Sequence, residues 1–221
     1  MLRPSHWPFC LLVFFCCSYA SANASIDIEI VDRKGKPLQL NKAVVYAVAQ
    51  SPLTVDDSSP QQTAIVQRNL QFEPYISVIQ RGTQVVFPNQ DDTSHHVYSF
   101  SPAKSFELPL YKKQLPGPVV FDKTGIVVLG CNIHDWMLAY LIVVDTPFFT
   151  LLSPNNQKLD DLPPGTYQFH LWHPQLDKRD SKPIIVEVEG DKGVARFTLA
   201  HKLKKGFRPQ SPDQPFDDNN Y

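Results

Sequence analysis

Twenty prolines are spread along this chain of 221 residues, and they limit the regular structure that it can form. Proline breaks a helix interior and is excluded from the centre of a sheet. Between the prolines lie short runs rich in Val, Ile, Phe and Tyr, and no apolar stretch beyond the N-terminus has a clear 3.6-residue period. The sequence therefore predicts an all-β sandwich in which any helix is short.

Six of the apolar runs have the length and composition of strands. They cover residues 26–31, 43–49, 84–87, 97–100, 126–129 and 138–144. The turns between them are rich in Pro, Asn, Asp and Gly.

The N-terminus has the features of a cleaved secretory signal. Arg3 precedes an apolar run over 9–17 that is too short to cross a bilayer as a helix. Residues 22–24, Ala-Asn-Ala, form the small-x-small pattern that a signal peptidase cuts after. We predict a signal peptide over 1–24, export to the periplasm and no membrane span after cleavage. The alternative is that the segment stays uncut as an anchor.

Charge and cysteine usage narrow the class of protein. Removing the signal leaves 20 of the 21 basic residues against 22 acidic ones, which argues against nucleic acid as a partner. Three of the four cysteines lie in the signal, so the exported chain keeps only Cys131 and has no disulfide of its own. A single thiol in an exported protein indicates a metal-ligating thiolate, the alternative being an inert core cysteine.

A loop between two apolar strands carries the most specific pattern, GCNIHDWM at residues 130–137. Its spacing places the thiolate of Cys131, the imidazole of His134 and the thioether of Met137 on one short segment. This set suits copper in either oxidation state. Another ligand has to come from elsewhere, and upstream a strand and a polar loop lead to His95 at the start of the next strand.

These two segments resemble the first-histidine segment and the ligand loop of cupredoxins, the small blue copper proteins, and the loop spacing is most similar to amicyanin. The resemblance implies a Greek-key β-sandwich that holds one mononuclear type 1 copper. His95 and His134 would supply nitrogen ligands, Cys131 a thiolate, and Met137 a weak axial sulfur. Such a site changes geometry little between oxidation states, which suits the transfer of single electrons.

Two points about the ligands stay open in the sequence. His95 and His96 point to opposite faces of a strand, so only one of them can face the metal. We assign His95 and keep His96 as the alternative, because His96 stands where cupredoxins commonly have an Asn that ties the two ligand segments together. Zinc also accepts Cys and His ligands, and the thioether of Met137 favours copper.

The ends of the chain resemble a second β-sandwich. Residues 35–38, Gly-Lys-Pro-Leu, and 162–167, Leu-Pro-Pro-Gly-Thr-Tyr, are similar to motifs of carboxypeptidase-regulatory-like domains. We predict a discontinuous outer sandwich over 25–52 and 147–202, a cupredoxin-like copper domain over 63–146 and a mobile tail over 203–221. The alternative is one larger sandwich. The wider chain resembles periplasmic proteins labelled methylamine utilisation proteins.

The resemblance implies a periplasmic carrier that exchanges single electrons with a c-type cytochrome or with a dehydrogenase or reductase. The alternatives are a copper-delivery protein and a partner-binding sandwich in which the metal is structural. A lone methionine in the exported chain disfavours delivery. A site with four protein ligands leaves no open position for a substrate, so we expect no enzymatic activity.

Other polar residues are weaker candidates. Asn89, Asp91 and Asp92 are interpreted as turn formers without a function. Asp135 is interpreted as a solvated loop carboxylate, and Trp136 as a cap over the metal, a docking residue or a core residue. His170 and His173 are expected on a strand surface and in the following turn rather than at a metal.

Overall fold

The structure, a computed structural model, describes residues 23–52 and 61–205. Within these ranges it contains 17 strands, one 3₁₀ turn at Lys178–Asp180 and no α-helix, so the all-β prediction is confirmed. The first nine strands are β1 Ala24–Asp32, β2 Val44–Ala49, β3 Gln62–Ala64, β4 Val66–Arg68, β5 Gln71–Glu73, β6 Ile76–Gln80, β7 Gln84–Val86, β8 His95–Ser101 and β9 Lys104–Tyr111. The others are β10 Val119–Val120, β11 Gly125–Cys131, β12 Leu138–Val144, β13 Phe149–Leu151, β14 Lys158–Leu162, β15 Gly165–Trp172, β16 Ile184–Val188 and β17 Lys192–Leu199.

Two predicted segments fall largely outside this description. Of the predicted signal only Asn23 and Ala24 are described, and Ala24 is a buried residue that opens β1. The predicted tail is described only as far as residue 205. Among the described residues, none belongs to a helix long and apolar enough to cross a membrane.

Strands from the two ends of the chain form two sheets of their own. One has the order β14-β1-β17, in which β1 pairs in parallel with β17, and the other has the order β13-β2-β15-β16. Alternate side chains of these strands point inward and build one core. Its largest fully buried members include Ile26, Leu152, Leu162, Tyr167 and Phe169.

The middle of the chain forms a separate set of sheets. A five-stranded sheet has the order β6-β12-β11-β8-β9, a three-stranded sheet has the order β10-β7-β3, and β4 and β5 form a hairpin. Their core contains Phe72, Phe87, Phe121, Leu129 and Leu141, all at most 1% exposed. Cys131 and Met137 belong to this same core, so two of the predicted ligands lie at its edge.

A third apolar cluster joins the two sets of sheets. Val44 of β2 packs with Ile76, Ile142 and Val144 of β6 and β12, and the rings of Tyr140 and Trp172 lie 5.2 Å apart beside them. Within residues 23–52 and 61–205, no strand is shared between the sheets of the chain ends and those of the middle. The predicted division into an outer sandwich over 25–52 and 147–202 and a copper domain over 63–146 stays a prediction.

Candidate metal centre

Two of the four predicted ligands lie on neighbouring strands of the five-stranded sheet, and a third lies in the loop that follows one of them. His95 is the first residue of β8 and Cys131 is the last residue of β11, while His134 lies in the loop that leads from β11 to β12. β8 and β11 pair antiparallel with Cys131 opposite Val97, which brings the start of one strand beside the end of the other. Hydrogen bonding within the sheet therefore sets the distance between the two ligand segments.

The donor atoms of these three side chains converge. His95 Nδ1 lies 3.2 Å from His134 Nδ1. Cys131 Sγ lies 3.8 Å from His95 Nδ1 and 3.6 Å from His134 Nδ1. His95 and Cys131 are buried and His134 is half-buried, so the cluster lies at the protein surface with only one ligand ring reaching towards solvent.

The spacing of the donors fits a single metal ion. First-row metals bind imidazole nitrogen at about 2.0–2.1 Å and thiolate sulfur at about 2.3 Å, so donors spread around one ion lie roughly 3.1–3.8 Å apart. All three separations at this site fall in that range. Two imidazoles and one thiolate are the donor set of a trigonal copper site.

His95, rather than His96, points into the cluster. The side chain of His96 leaves the strand on the other face, where its Nε2 lies 2.8 Å from Glu107 Oε1 at the surface. His95 therefore lies in the cluster, whereas the side chain of His96 lies on the opposite face of β8; the assignment of His95 as a ligand stays a prediction. The backbone of His96 does serve the site, because its N–H group hydrogen-bonds to the Cys131 sulfur.

The environment of Cys131 favours a thiolate. Burial of the thiol would raise its pKa, but hydrogen bonds from His95, from the backbone of His96 and Ile133 and from His134 outweigh burial and lower it to about 6. Burial likewise opposes charge on His95, and hydrogen bonds to Cys131 and Asp91 turn the net shift of the His95 pKa upward. A thiolate is the form of cysteine that binds metals.

Met137 lies close to this cluster in the fold. It is 2% exposed, belongs to the same core as Cys131, and its backbone N–H donates to the carbonyl of His134 at 2.9 Å. An open surface pocket of about 480 Å³ is lined by both Cys131 and Met137. The axial role of the Met137 thioether stays a prediction.

One residue at the site was missed by the sequence interpretation. Asp91, interpreted as a turn former without a function, places Oδ2 2.8 Å from His95 Nε2, on the side of the ring that faces away from the cluster. Asn89 does form the turn, because its side chain accepts a hydrogen bond from Asp91 N–H and donates to the carbonyls of Thr93 and Tyr111. No sequence pattern distinguishes Asp91 from its neighbour Asp92.

The remaining candidates lie where their chemistry suggests a structural role. Asp135 is exposed, as expected for a solvated loop carboxylate. Trp136 packs against the core and donates its indole N–H to the carbonyl of Leu70 at 3.1 Å. His170 stacks on Tyr46, and His173 accepts a hydrogen bond from a backbone N–H, both outside the cluster of donors.

Gly130, next to Cys131, allows Tyr98 of the neighbouring strand to lie across the sheet. A Cβ atom at Gly130 would lie 2.8 Å from Cζ of Tyr98, closer than two such atoms pack. We expect Gly130→Ala to lower the free energy of unfolding by about 1–3 kcal/mol in urea titrations because the tyrosine ring is displaced. The control is Tyr98→Ala: adding Gly130→Ala to it is expected to cost almost nothing, and an equal cost in both backgrounds would contradict the explanation.

Comparison with known proteins gives likenesses of fold only. No protein-family model matches the sequence, and no curated protein does. Among solved structures, a purple cupredoxin from Nitrosopumilus maritimus is 22% identical, with 37% of this chain and 98% of that chain covered and a TM-score of 0.33. A reduced amicyanin variant is 18% identical, with 45% of this chain and 99% of that chain covered and a TM-score of 0.35.

A copper-containing nitrite reductase from Thermus scotoductus SA-01 is 20% identical, with 43% of this chain covered and a TM-score of 0.37. The chain spans only 25% of the length of that reductase. At these identities and TM-scores the similarities carry no functional inference, so the function has to be inferred from the site itself.

Proposed function

We propose that this chain is an exported type 1 copper protein that transfers single electrons between redox partners. The observation that carries the proposal is the convergence of His95 Nδ1, Cys131 Sγ and His134 Nδ1 at separations of 3.2–3.8 Å. Met137 would complete the site as a weak axial ligand, as is typical of blue-copper centres.

The protein holds the donors in place through its sheet. His95 is fully buried at the start of β8, and Cys131 is buried at the end of β11, so both side chains are packed within the sheet that carries them. Bound copper would supply reversible one-electron chemistry at this point. A ligand set fixed by a packed core keeps one geometry in both oxidation states, which favours fast electron transfer over catalysis.

His134 offers the route by which electrons would enter and leave. It is half-buried, whereas His95 is fully buried, and its neighbour Ile133 is 48% exposed. A c-type cytochrome or a periplasmic dehydrogenase or reductase docked on this loop would approach the metal through the His134 ring. Export through the N-terminal signal and the absence of a catalytic activity of its own belong to the same proposal.

The test is the visible absorption spectrum of the purified protein during addition of Cu(II). We expect an intense thiolate-to-copper band that saturates at one copper per chain, bleaches with ascorbate and returns on reoxidation. Cys131→Ser serves as the control that assigns the band to this sulfur. Zn(II) added in parallel is expected to compete for the site without producing colour.

Two results would contradict the proposal. Absence of the band in wild-type protein that binds copper would remove the copper-thiolate assignment. A band that saturates but does not bleach reversibly would leave a structural metal site in place of an electron carrier.

A further inference from the structure

Asp91 lies in the loop between β7 and β8, directly behind the ring of His95. Its side chain is 12% exposed, and its Oδ2 atom lies 2.8 Å from Nε2 of the fully buried His95 ring. The other ring nitrogen, Nδ1, faces Cys131 and His134. The carboxylate and the donor cluster therefore occupy opposite ends of one imidazole.

A turn from a distant part of the chain holds the carboxylate in this position. Asn69 donates its backbone N–H to Asp91 Oδ1 at 2.7 Å, and Leu70 donates its backbone N–H to Oδ2 at 3.0 Å. Both residues have positive φ angles, 53° and 56°, as the tight turn of the β4–β5 hairpin requires. Such a backbone is unfavourable for leucine, yet it aims two adjacent N–H groups at one carboxylate.

The same turn contacts the second ligand segment. The indole N–H of Trp136 donates to the carbonyl of Leu70 at 3.1 Å, and the Trp136 ring lies 5.3 Å from the ring of His134. One hairpin turn thus reaches His95 through Asp91 and His134 through Trp136. The two histidines are held by a common support that is separate from the sheet.

We infer that Asp91 is a positioning residue that tunes the copper site through His95. By accepting a hydrogen bond from the Nε2–H group of His95, the carboxylate keeps the ring proton on Nε2, so that the Nδ1 lone pair points at the metal, as carboxylate–histidine pairs do at other metal sites. Its negative charge stabilises the doubly charged ion more than the singly charged one. This inference rests on the proposed copper site and adds that Asp91 lowers the reduction potential.

The test compares Asp91→Asn with Asp92→Asn in copper-loaded protein. Both variants remove one carboxylate from the same loop, but Asp92 is exposed, whereas it is Asp91 that holds Nε2 of His95. In Asp91→Asn one carboxylate oxygen is replaced by an NH₂ group, which is a donor. This NH₂ group would face either a backbone N–H or the Nε2–H of His95, both of which are donors as well. We expect the dissociation constant for Cu(II) to rise about 10- to 100-fold. The dissociation constant for Cu(I) is expected to rise by a factor that is smaller by about tenfold or more.

The difference between the two oxidation states appears directly as a potential. Each tenfold by which Cu(II) binding is weakened more than Cu(I) binding raises the reduction potential by about 59 mV. Asp92→Asn is expected to match the wild type in both constants and in potential. Asp91→Glu, which keeps the charge, is expected to lie closer to the wild-type potential than Asp91→Asn does.

If Asp91→Asn does not fold, the position of the His95 proton can still be tested in the wild-type protein. Cu(I) is diamagnetic, so ¹⁵N NMR of the loaded protein should find the His95 proton on Nε2 in slow exchange. A proton on Nδ1 would overturn the inference, and so would an Asp91→Asn potential equal to that of Asp92→Asn. In both cases a wild-type copper band would leave the proposed function standing, whereas its absence would remove both.

Discussion

Replacing His95 with alanine is expected to weaken Cu(II) binding by more than roughly 100-fold and to remove the copper-thiolate band, because a ligand should matter more than the outer partners that orient it. His95 supplies one of three converging donors, so its removal leaves only Cys131 and His134 of that cluster. Equilibrium titration against a copper chelator, read at the thiolate band, measures the effect.

His96→Ala is the matched control, because it removes the same side chain from the adjacent position of β8. The His96 ring hydrogen-bonds to the exposed Glu107 and points away from the donors, so copper affinity is expected to stay within a factor of about two, as is usual for a surface substitution. If His96→Ala abolished the band and His95→Ala kept it, the metal would lie on the opposite face of the strand and the site described above would be wrong.

The ligand loop could be predicted from sequence because its information is local. Cys131, His134 and Met137 lie within seven residues, flanked by two apolar runs that form β11 and β12. The alternation of side chains along a strand also meant that only one of the adjacent residues His95 and His96 could face the metal. The choice of His95 came from the cupredoxin resemblance alone, because the register of β8 against β11 is not specified by the sequence.

Two strands that the sequence analysis did not predict, β9 and β17, were missed for different reasons. β9 is an edge strand with a proline at position 109 and no fully buried side chain, so its sequence resembles a loop. β17 alternates exposed residues with buried Ala195, Phe197 and Leu199, a pattern that was present and could have been found. Its parallel pairing with β1 at the far end of the chain could not, because local patterns do not name a strand's partner.

Asp91 marks the limit of sequence interpretation at the site. Asn, Asp and Asp at positions 89, 91 and 92 all favour turns, and their composition gives each the same interpretation. Only the placement of the Asn69–Leu70 turn beside the loop separates Asp91 from Asp92. That placement depends on tertiary packing over more than twenty residues of chain.

Phe169→Ala is expected to lower the stability of the sheets built from the chain ends by about 3–5 kcal/mol while leaving the copper band intact at low temperature. Phe169 is fully buried in the core of β1, β2, β15 and their neighbours, and that core contains none of the metal ligands. A domain typically has only about 5–15 kcal/mol of stability, so the loss should be measurable as faster exchange of the backbone amide hydrogens in these strands.

The comparison is Phe121→Ala, which removes an equally buried ring from the core that includes Cys131 and Met137. This variant is expected to lower the temperature at which the copper band disappears, whereas Phe169→Ala should shift that temperature little. The cluster around Val44, Ile142 and Val144 joins the two sets of sheets, so part of the stability lost in one set would also be lost in the other. If both variants lowered the loss temperature of the band equally, the chain would unfold as one cooperative sandwich, and the predicted division into an outer sandwich and a copper domain would be wrong.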